Sequence, residues 1–454
     1  MATLKTPFYL ILLLAGIGLS CQKDLEEAAS PALQTVSVSN QESSALVAQI
    51  KFSLTRESSA VVIYWPVSGT EQNALQSAVS GIKKNHAIPL FQLRAQTTYQ
   101  YKILLIDPNG QKKEAGPPET FTTAAVPEWL KKYYDESENR IQESLTGYYL
   151  VIPAAQPGGL LLLNRRGELS WYWSPPARYV VKTARFTPKN SLLMLLDEHG
   201  TPYNDGNVVL ETNLAGDTLA LFRMGEKGFD KWLHHDLQMD ANGNLVAITN
   251  ETKNNLPGDG LLMLDPQGRK LWEWSTFQEL TDIDPTQYAQ PWGNSLVIDK
   301  DNHYLVSFRA LSQVWKIHSG TGKVLWKLGK NGTVKTPTGT DFLFQHFAHR
   351  NAQDEIMLFD NGGPLRPQTR VLSFRINETT LEATPSLNFA LPGNLYSAIM
   401  GSAALLPDGS ILSASAVNGK LVKTDPSGRI IWTLTTSQPI YRADYVPNPF
   451  GQAQ

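Results

Sequence analysis

The sequence predicts an all-β protein in which a six-bladed β-propeller follows a smaller β-sandwich. Three observations carry that prediction. From residue 148 onward, an apolar strand, a tight turn and a strand bearing an aromatic residue or leucine recur about every fifty residues. The segment before it alternates apolar and polar residues in runs of strand length. The composition, with 33 Gly, 28 Pro, 11 Trp and 18% charged residues, is that of an ordered, turn-rich chain. At 454 residues the chain exceeds what one ordinary hydrophobic core supports, so two domains or one large repetitive one are expected. The 40 Lys and Arg against 42 Asp and Glu leave a formal net charge of -2. That charge supplies no field for phosphates, so nucleic acid is not an expected partner.

Residues 1–20 carry one early positive charge, Lys5, and then an apolar run too short for a comfortable transmembrane helix. This is the pattern of a secretory signal. Its end, Gly18-Leu19-Ser20-Cys21, resembles a bacterial lipoprotein signal, in which the cysteine becomes the lipidated first residue of the mature chain. Ordinary cleavage leaving a free thiol is the alternative. Residues 21–32 then form a polar tether, and the acidic run Asp24-Leu25-Glu26-Glu27 resembles a surface-export signal of Gram-negative lipoproteins. The expected location is the Gram-negative cell envelope, on the periplasmic or outer-membrane surface, with the membrane reached through lipid on Cys21. Because Cys21 is the single cysteine, an intrachain disulfide, a CxxC redox site and a cysteine-based zinc site are all excluded.

Over 33–125 the apolar runs 45–54, 60–65 and 99–106 are separated by turn residues such as Asp107-Pro108-Asn109-Gly110. The stretch 93–102, closing with Glu119-Thr120-Phe121-Thr122-Thr123, resembles a fibronectin type III module of the immunoglobulin-like sandwich class. No chemistry is evident in it. Residues 126–147, begun by Val126-Pro127 and rich in Glu, Lys, Tyr and Leu, predict a helical linker.

The propeller is assigned to 148–450. Five units share a turn glycine, at Gly167, Gly216, Gly268, Gly322 and Gly428. The spacings are 49, 52, 54 and then 106 residues, the last being two periods, and Asn377 takes the missing turn. Six such units make six blades, because a four-stranded blade buries its faces only against neighbouring blades. A second turn recurs in five units, at 188–191, 240–244, 299–302, 351–354 and 407–410. If the strand before it is innermost, residues seven to ten positions upstream face the central channel. They are Lys182, His234 and His235, Trp292 and Asn294, His346, and Ser402. Strict strand alternation would turn Asp236 away from the face of His235.

Histidines converging with an arginine and an amide suit an anion bearing a leaving group. Arginine neutralises oxyanion charge, and imidazole can act as nucleophile or as acid and base near neutral pH. Metal ligation is the competing use of imidazole, but no HExxH or EF-hand pattern occurs, and neither a metal nor any other cofactor is expected. His86, His199, His303, His318 and His349 fall at turns or outside the corresponding positions and are expected at the surface or behind the site.

The ordered set Lys231-Trp232-Leu233-His234-His235-Asp236-Leu237, Trp292-Gly293-Asn294-Ser295, Tyr304 to Arg309, Phe344-Gln345-His346 and Leu358-Phe359-Asp360-Asn361-Gly362 resembles the bacterial aryl-sulfate sulfotransferase family over most of 148–450. The resemblance implies transfer of a sulfuryl group from an aryl sulfate to a phenolic acceptor without a nucleotide sulfate donor. It further implies that His346 is the nucleophile that becomes sulfohistidine, and that His235 protonates the departing phenolate and deprotonates the acceptor. Arg309 would bind sulfate oxygens and Asn294 would donate a hydrogen bond beside it; Lys182 and Ser402, by their channel-facing spacing alone, are expected as further substrate contacts. Two departures stand out. Where the family has His-x-Asn-Ser this chain has Trp292, offering a stacking wall for an aryl group, and Phe347 replaces the family's Asp after the nucleophile. A propeller that only binds an aromatic or sulfated ligand at the cell surface is the alternative reading. A homodimer is left open.

Overall fold

The computed structural model describes residues 30–451, apart from 42, 144–145, 155–157, 202–204, 282 and 287. The secretory signal, Cys21 and the acidic run after it lie outside the described residues.

Six antiparallel sheets form the propeller. Five are contiguous in sequence, spanning 180–223, 233–275, 293–329, 346–390 and 402–435. The sixth joins Tyr148–Pro153, Leu160–Asn164 and Leu169–Trp173 to the C-terminal strand Ile440–Val446, which pairs with Tyr148–Pro153 and closes the ring. Strand burial follows position. The run of four leucines in Leu160–Asn164 is fully buried because neighbouring blades cover both of its faces. Outer strands such as Thr218–Arg223 and Lys270–Ser275 are largely exposed or half-exposed. Each buried leucine contributes about 1.5–3 kcal/mol of transfer free energy, and a ring of blades accumulates enough of these to stand without disulfides. Both turn series are present, with one correction: Asn377 ends its strand and accepts from the Thr379 and Thr380 N–H groups, and Leu381 takes the left-handed φ of 54° that glycine takes in the other blades. Asp240 Oδ1, for example, accepts from the N–H groups of Asn242 and Asn244 at 2.8 Å, and Asp265 does the same for Gln267 and Arg269.

The N-terminal module differs in detail from the expected sandwich. Residues 45–54 and 60–65 are not separate strands but parts of one 19-residue strand, Ala48–Pro66. The polar stretch Thr55-Arg56-Glu57-Ser58-Ser59 contains no Gly or Pro to break it, and the chain instead shifts register there. The first half of this strand pairs with Leu33–Asn40 and Ser80–Leu90, and the second with Leu75–Gln76 and Thr98–Ile106. The seven strands are thus one hydrogen-bonded network over a single core that includes Phe52, Val62, Tyr64 and Tyr101. His86, expected at the surface, is 3% exposed and stacks on Phe52 at 4.6 Å.

The linker helix is shorter than expected, confined to Glu128–Tyr133 with one 3₁₀ turn at Glu136–Glu138. Tertiary contacts hold the following residues extended. The hydroxyl of Tyr134 donates to the Gly167 carbonyl, and the Asn139 amide bonds Thr435. Leu130 and Tyr133 pack into the cluster of Tyr149, Leu412 and Leu434, and Phe91 of the N-terminal module packs on Phe450 at 5.1 Å. Among the described residues no helix is long and apolar enough to cross a membrane.

Candidate active site

The first strand of each contiguous blade, together with Ile440–Val446, lines the centre of the ring. These strands are not regular. Register shifts interrupt Val181/Thr183, Leu233/Leu237, Gly293/Ser295, His346/His349 and Ile440/Arg442. His235, Trp292 and Phe347 take left-handed φ values of 58°, 56° and 52°, and Met400, just before the fifth blade's inner strand, has 59°. Such conformations cost roughly 1–3 kcal/mol for non-glycine residues, and bulges re-aim side chains that alternation would send elsewhere.

Asp236 shows the effect. It is fully buried, and its carboxylate accepts from Arg185 Nε and Nη2 at 2.8 Å, from Arg442 Nη1 at 3.0 Å and from the Leu296 N–H at 2.9 Å. Four blades therefore meet on one carboxylate. Burial alone would raise its pKa, but Arg185 and Arg442 hold it below the ordinary carboxylate value. The Phe347 ring lies under both guanidiniums, at 5.4 Å from Arg185 and 4.7 Å from Arg442. A carboxylate at 347 would have added a charge here; an aromatic face meets the two cations instead.

His346 is 6% exposed, and its Nδ1 lies 2.6 Å from Asn361 Oδ1 and 3.2 Å from the Phe344 carbonyl. The amide of Asn361 is oriented by its own donors, since Nδ2 bonds the carbonyls of Ser397 at 2.7 Å and Met400 at 2.8 Å. Two carbonyls can be met only by the NH₂ end, so Oδ1 must face His346 and Nδ1 must carry the proton. The Nε2 lone pair is then available, with the Met400 N–H at 3.3 Å as its donor. Burial, with the charges of Arg309 and Arg442, pushes the His346 pKa down to about 3, so the ring is neutral near pH 7.

The Phe344-Gln345-His346 stretch divides its work by residue. Phe344 supports Arg309, whose guanidinium lies 4.8 Å from the ring. Gln345 anchors the segment to the third blade through Ser307 Oγ and the Phe308 and Gln313 carbonyls. Arg309 is half-buried, its backbone N–H bonds the Trp292 carbonyl at 2.9 Å, and among the described residues its guanidinium makes no hydrogen bond or ion pair. A cation held against an aromatic face with its donors unspent is suited to an anionic ligand.

His235 is half-buried, and burial, followed by the charges of His234, Arg442 and Arg309, lowers its pKa well below the ordinary value. The same positive groups act on both histidines, which places them in one electrostatic site. The Tyr441 hydroxyl donates to the His235 carbonyl at 3.0 Å and pins the bulge. Trp292 meets the His235 ring edge-on at 6.3 Å.

Three expected substrate contacts are placed differently. Asn294 is 1% exposed and its amide donates to the Gln345 carbonyl at 2.7 Å, so it positions the segment before His346 rather than reaching for sulfate. The Ser402 hydroxyl donates to the Ala443 carbonyl at 2.6 Å and accepts from the Ala443 N–H at 2.9 Å, stitching the fifth blade to the sixth. Lys182 is 5% exposed, its ammonium 2.9 Å from the Thr201 carbonyl and 3.3 Å from Asp197, so its charge is already paired. In each case the bulge or the neighbouring blade supplied a partner that spacing could not show. His349, expected at the surface or behind the site, lies in the inner strand with Asp444, Arg185 and Arg442 near it. Asn361 and Arg442 were not singled out. Asn361 sits in a stretch already marked by its neighbours, whereas Arg442 follows the last repeat and carries no spacing cue. Among the described residues no group of three or more His, Cys, Asp or Glu is arranged to hold a metal ion.

A family model described as Arylsulfotransferase (ASST) matches residues 136–445. No curated protein matches the chain. Similar solved structures include a protein of unknown function from Bacteroides caccae, 12% identical, covering 66% of this chain and 99% of its own, with a TM-score of 0.43. A catalytically inactive virginiamycin B lyase from Staphylococcus aureus is 10% identical over 65% of this chain and 86% of its own, TM-score 0.37. A putative 6-phosphogluconolactonase from Bacteroides fragilis is 11% identical over 86% and 98%, TM-score 0.41. These likenesses are too distant to bear on activity.

Proposed function

The chain belongs to the arylsulfotransferase family, and from that premise we propose that it moves a sulfuryl group from an aryl sulfate to a phenolic acceptor through a sulfohistidine on His346. The observation that carries the reading is the Asn361 amide, whose orientation leaves Nε2 of a neutral His346 unprotonated. Nε2 attacks sulfur, the S–O bond to the aryl group breaks, and its electron pair leaves with the aryl oxygen. That oxygen takes a proton from His235. The Nδ1 proton stays on His346 throughout, held by Asn361, so the sulfated ring carries its positive charge beside the bound SO₃ group. Arg309 neutralises charge on the equatorial oxygens, which is greatest as the sulfuryl group passes between nucleophile and leaving group. In the second half-reaction the acceptor hydroxyl gives its proton to His235 as its oxygen attacks sulfur and the S–N bond breaks. Trp292, in place of the family's histidine, supplies an aromatic wall rather than a charge.

Two half-reactions through one intermediate give ping-pong kinetics. The test is intact mass after a single addition of 4-nitrophenyl sulfate. A sulfuryl mass increase confined to His346, absent in His346→Ala and discharged by phenol, is the expected result. Binding without any adduct would favour the propeller that only binds its aromatic or sulfated ligand. Anchoring in the cell envelope through lipid on Cys21 belongs to the same proposal and rests on residues 1–21 of the sequence; fatty-acid labelling that persists in Cys21→Ala would exclude it.

A further inference from the structure

Behind His235 lies a second imidazole that the transfer chemistry above does not use. His234 is 1% exposed, and its Nδ1 is 2.8 Å from His235 Nδ1. Its Nε2 is 3.4 Å from Asp259 Oδ1 and has no hydrogen-bond partner among the described residues. Asp259 is itself fully buried, in the strand Leu256–Leu264, and it accepts from Gln290 Nε2 at 2.9 Å and from the Gly293 N–H at 2.8 Å. It therefore reaches the Trp292 segment on one side and His234 on the other. Spacing from the turn put His234 beside His235 among the channel-facing positions, whereas the structure buries it behind His235.

Two ring nitrogens 2.8 Å apart hold one proton between them, since two lone pairs or two protons would repel. If His234 owns that proton, His235 accepts through Nδ1 and, being neutral, carries its own proton on Nε2, ready to donate. If His235 owns it, its Nε2 is a bare lone pair, ready to accept. The position of one shared proton decides whether His235 is an acid or a base. A neutral His234 bearing only Nδ1–H would aim its Nε2 lone pair at the Asp259 carboxylate, so the form that donates to His235 is the cation.

Resting on the sulfohistidine reading, the geometry points to Asp259, His234 and His235 as a proton relay that stores the leaving-group proton demand of the first half-reaction and repays it in the second. In the first, His235 Nε2–H protonates the departing aryl oxygen while the shared proton passes from His234 to His235 Nδ1. His234 is left neutral with Nε2–H toward Asp259. In the second, the acceptor O–H protonates His235 Nε2 and the shared proton returns to His234. No proton enters from solvent in either step. The charged and titratable groups around the pair favour this arrangement. Asp259 and Asp205, from two other strands, favour the cation on His234 and outweigh its burial, whereas the guanidiniums of Arg442 and Arg309 face His235, beside the neutral His346, and keep it neutral. His234 and Asp259 act through His235 and touch no reacting atom.

The discriminating experiment compares wild type with Asp259→Asn and His234→Gln on two donors, 4-nitrophenyl sulfate, whose leaving group is a weak base, and phenyl sulfate, whose phenol has a pKa of about 10, like that of tyrosine. Loss of a general acid is expected to slow sulfohistidine formation from phenyl sulfate by about 100-fold or more, while formation from 4-nitrophenyl sulfate changes by less than about 5-fold. A variant that merely disturbs the site would slow both donors alike. Wild type supplies a test that needs no variant. Its pH profile for phenyl sulfate should fall on the basic side as His234 loses its second proton, with no such fall for 4-nitrophenyl sulfate. Equal leaving-group dependence in wild type and both variants, or coincident wild-type pH profiles for the two donors, would overturn the relay while leaving the sulfohistidine intact. Absence of an adduct in wild type would instead remove the sulfohistidine reading itself.

Discussion

Asn361 does for His346 what a carboxylate does for many catalytic histidines, but without a charge. It fixes the tautomer through two carbonyls that occupy its NH₂ group, and it adds no negative charge beside Arg309, whose guanidinium is left for an incoming sulfate. Asn361→Ala frees the ring to put its proton on either nitrogen. A loss of about 10²–10⁴-fold in kcat/KM is expected, because misassignment of the histidine tautomer is costly in this way elsewhere, together with a loss of stability of about 1–3 kcal/mol, because the Ser397 and Met400 carbonyls lose their donor. Release of 4-nitrophenol, paired with thermal melts, measures the two effects together. Activity within a few-fold of wild type would mean that Asn361 does not set the tautomer. His235 shows the complementary device. Its φ of 58° brings it and His234 into contact through their Nδ1 atoms, which neighbours on a regular strand could not achieve, since their side chains point to opposite faces.

The repeated element is the inner strand, bulged in five of the six blades, and its contacts with neighbouring blades explain why residues expected at one face perform different tasks. Ser402 was assigned to the channel by its distance from a turn, yet its hydroxyl closes a reciprocal pair of hydrogen bonds with the Ala443 backbone. Ser402→Ala is therefore expected to destabilise the protein by about 1–3 kcal/mol, the cost of leaving a buried backbone group unpaired, while leaving the KM for the aryl sulfate unchanged. Urea melts and steady-state kinetics on one preparation distinguish this from a binding role, for which KM would rise at unchanged stability. The turn after Asn361 is equally constrained. Gly362 has φ 68°, and a Cβ there would lie 2.4 Å from the Arg366 carbonyl oxygen, so the glycine lets the chain double back behind the residue that orients the nucleophile.

At the scale of the whole molecule, the ring is held by its closure and by the charges at its centre. The strand Ile440–Val446 supplies Arg442 and Tyr441 to a site whose other members lie about 80 to 260 residues earlier. The same burial that makes the histidines useful makes the fold sensitive to acid. His346, at about 3 when folded against about 6.5 when unfolded, binds its proton only in the unfolded chain between those values. Its contribution to stability is thus fully present above about pH 6.5 and is lost as pH falls toward 3, at up to ~1.4 kcal/mol per pH unit. His235 and His349, also lowered by burial, act in the same direction, whereas His234 is raised and adds stability that is lost only as pH climbs through its folded value. Urea melts between about pH 4 and 7 should give a shallower pH dependence for His346→Gln than for wild type. Parallel curves would contradict the buried neutral histidine.

The ring of six blades could be read from the chain because turn chemistry is local. A glycine at a positive-φ turn and an apolar strand beside it leave a periodic mark at 49 to 54 residues. The residues Phe344-Gln345-His346 and Arg309 were legible for the same reason, as short ordered motifs. What only the tertiary structure decided was direction and company. A bulge adds one residue to a strand without leaving a compositional trace, so it could not be foreseen that Asp236 would turn inward onto Arg185 and Arg442, or that His234 and His235 would share a proton. Nor could spacing reveal that Lys182, at a bulge, would be paired by Asp197 of its own blade, or that Asn294 and Ser402 would be satisfied by Gln345 and Ala443 of neighbouring blades. Partners that arrive from a different blade are chosen by how the ring closes, and closure is a property of the folded whole.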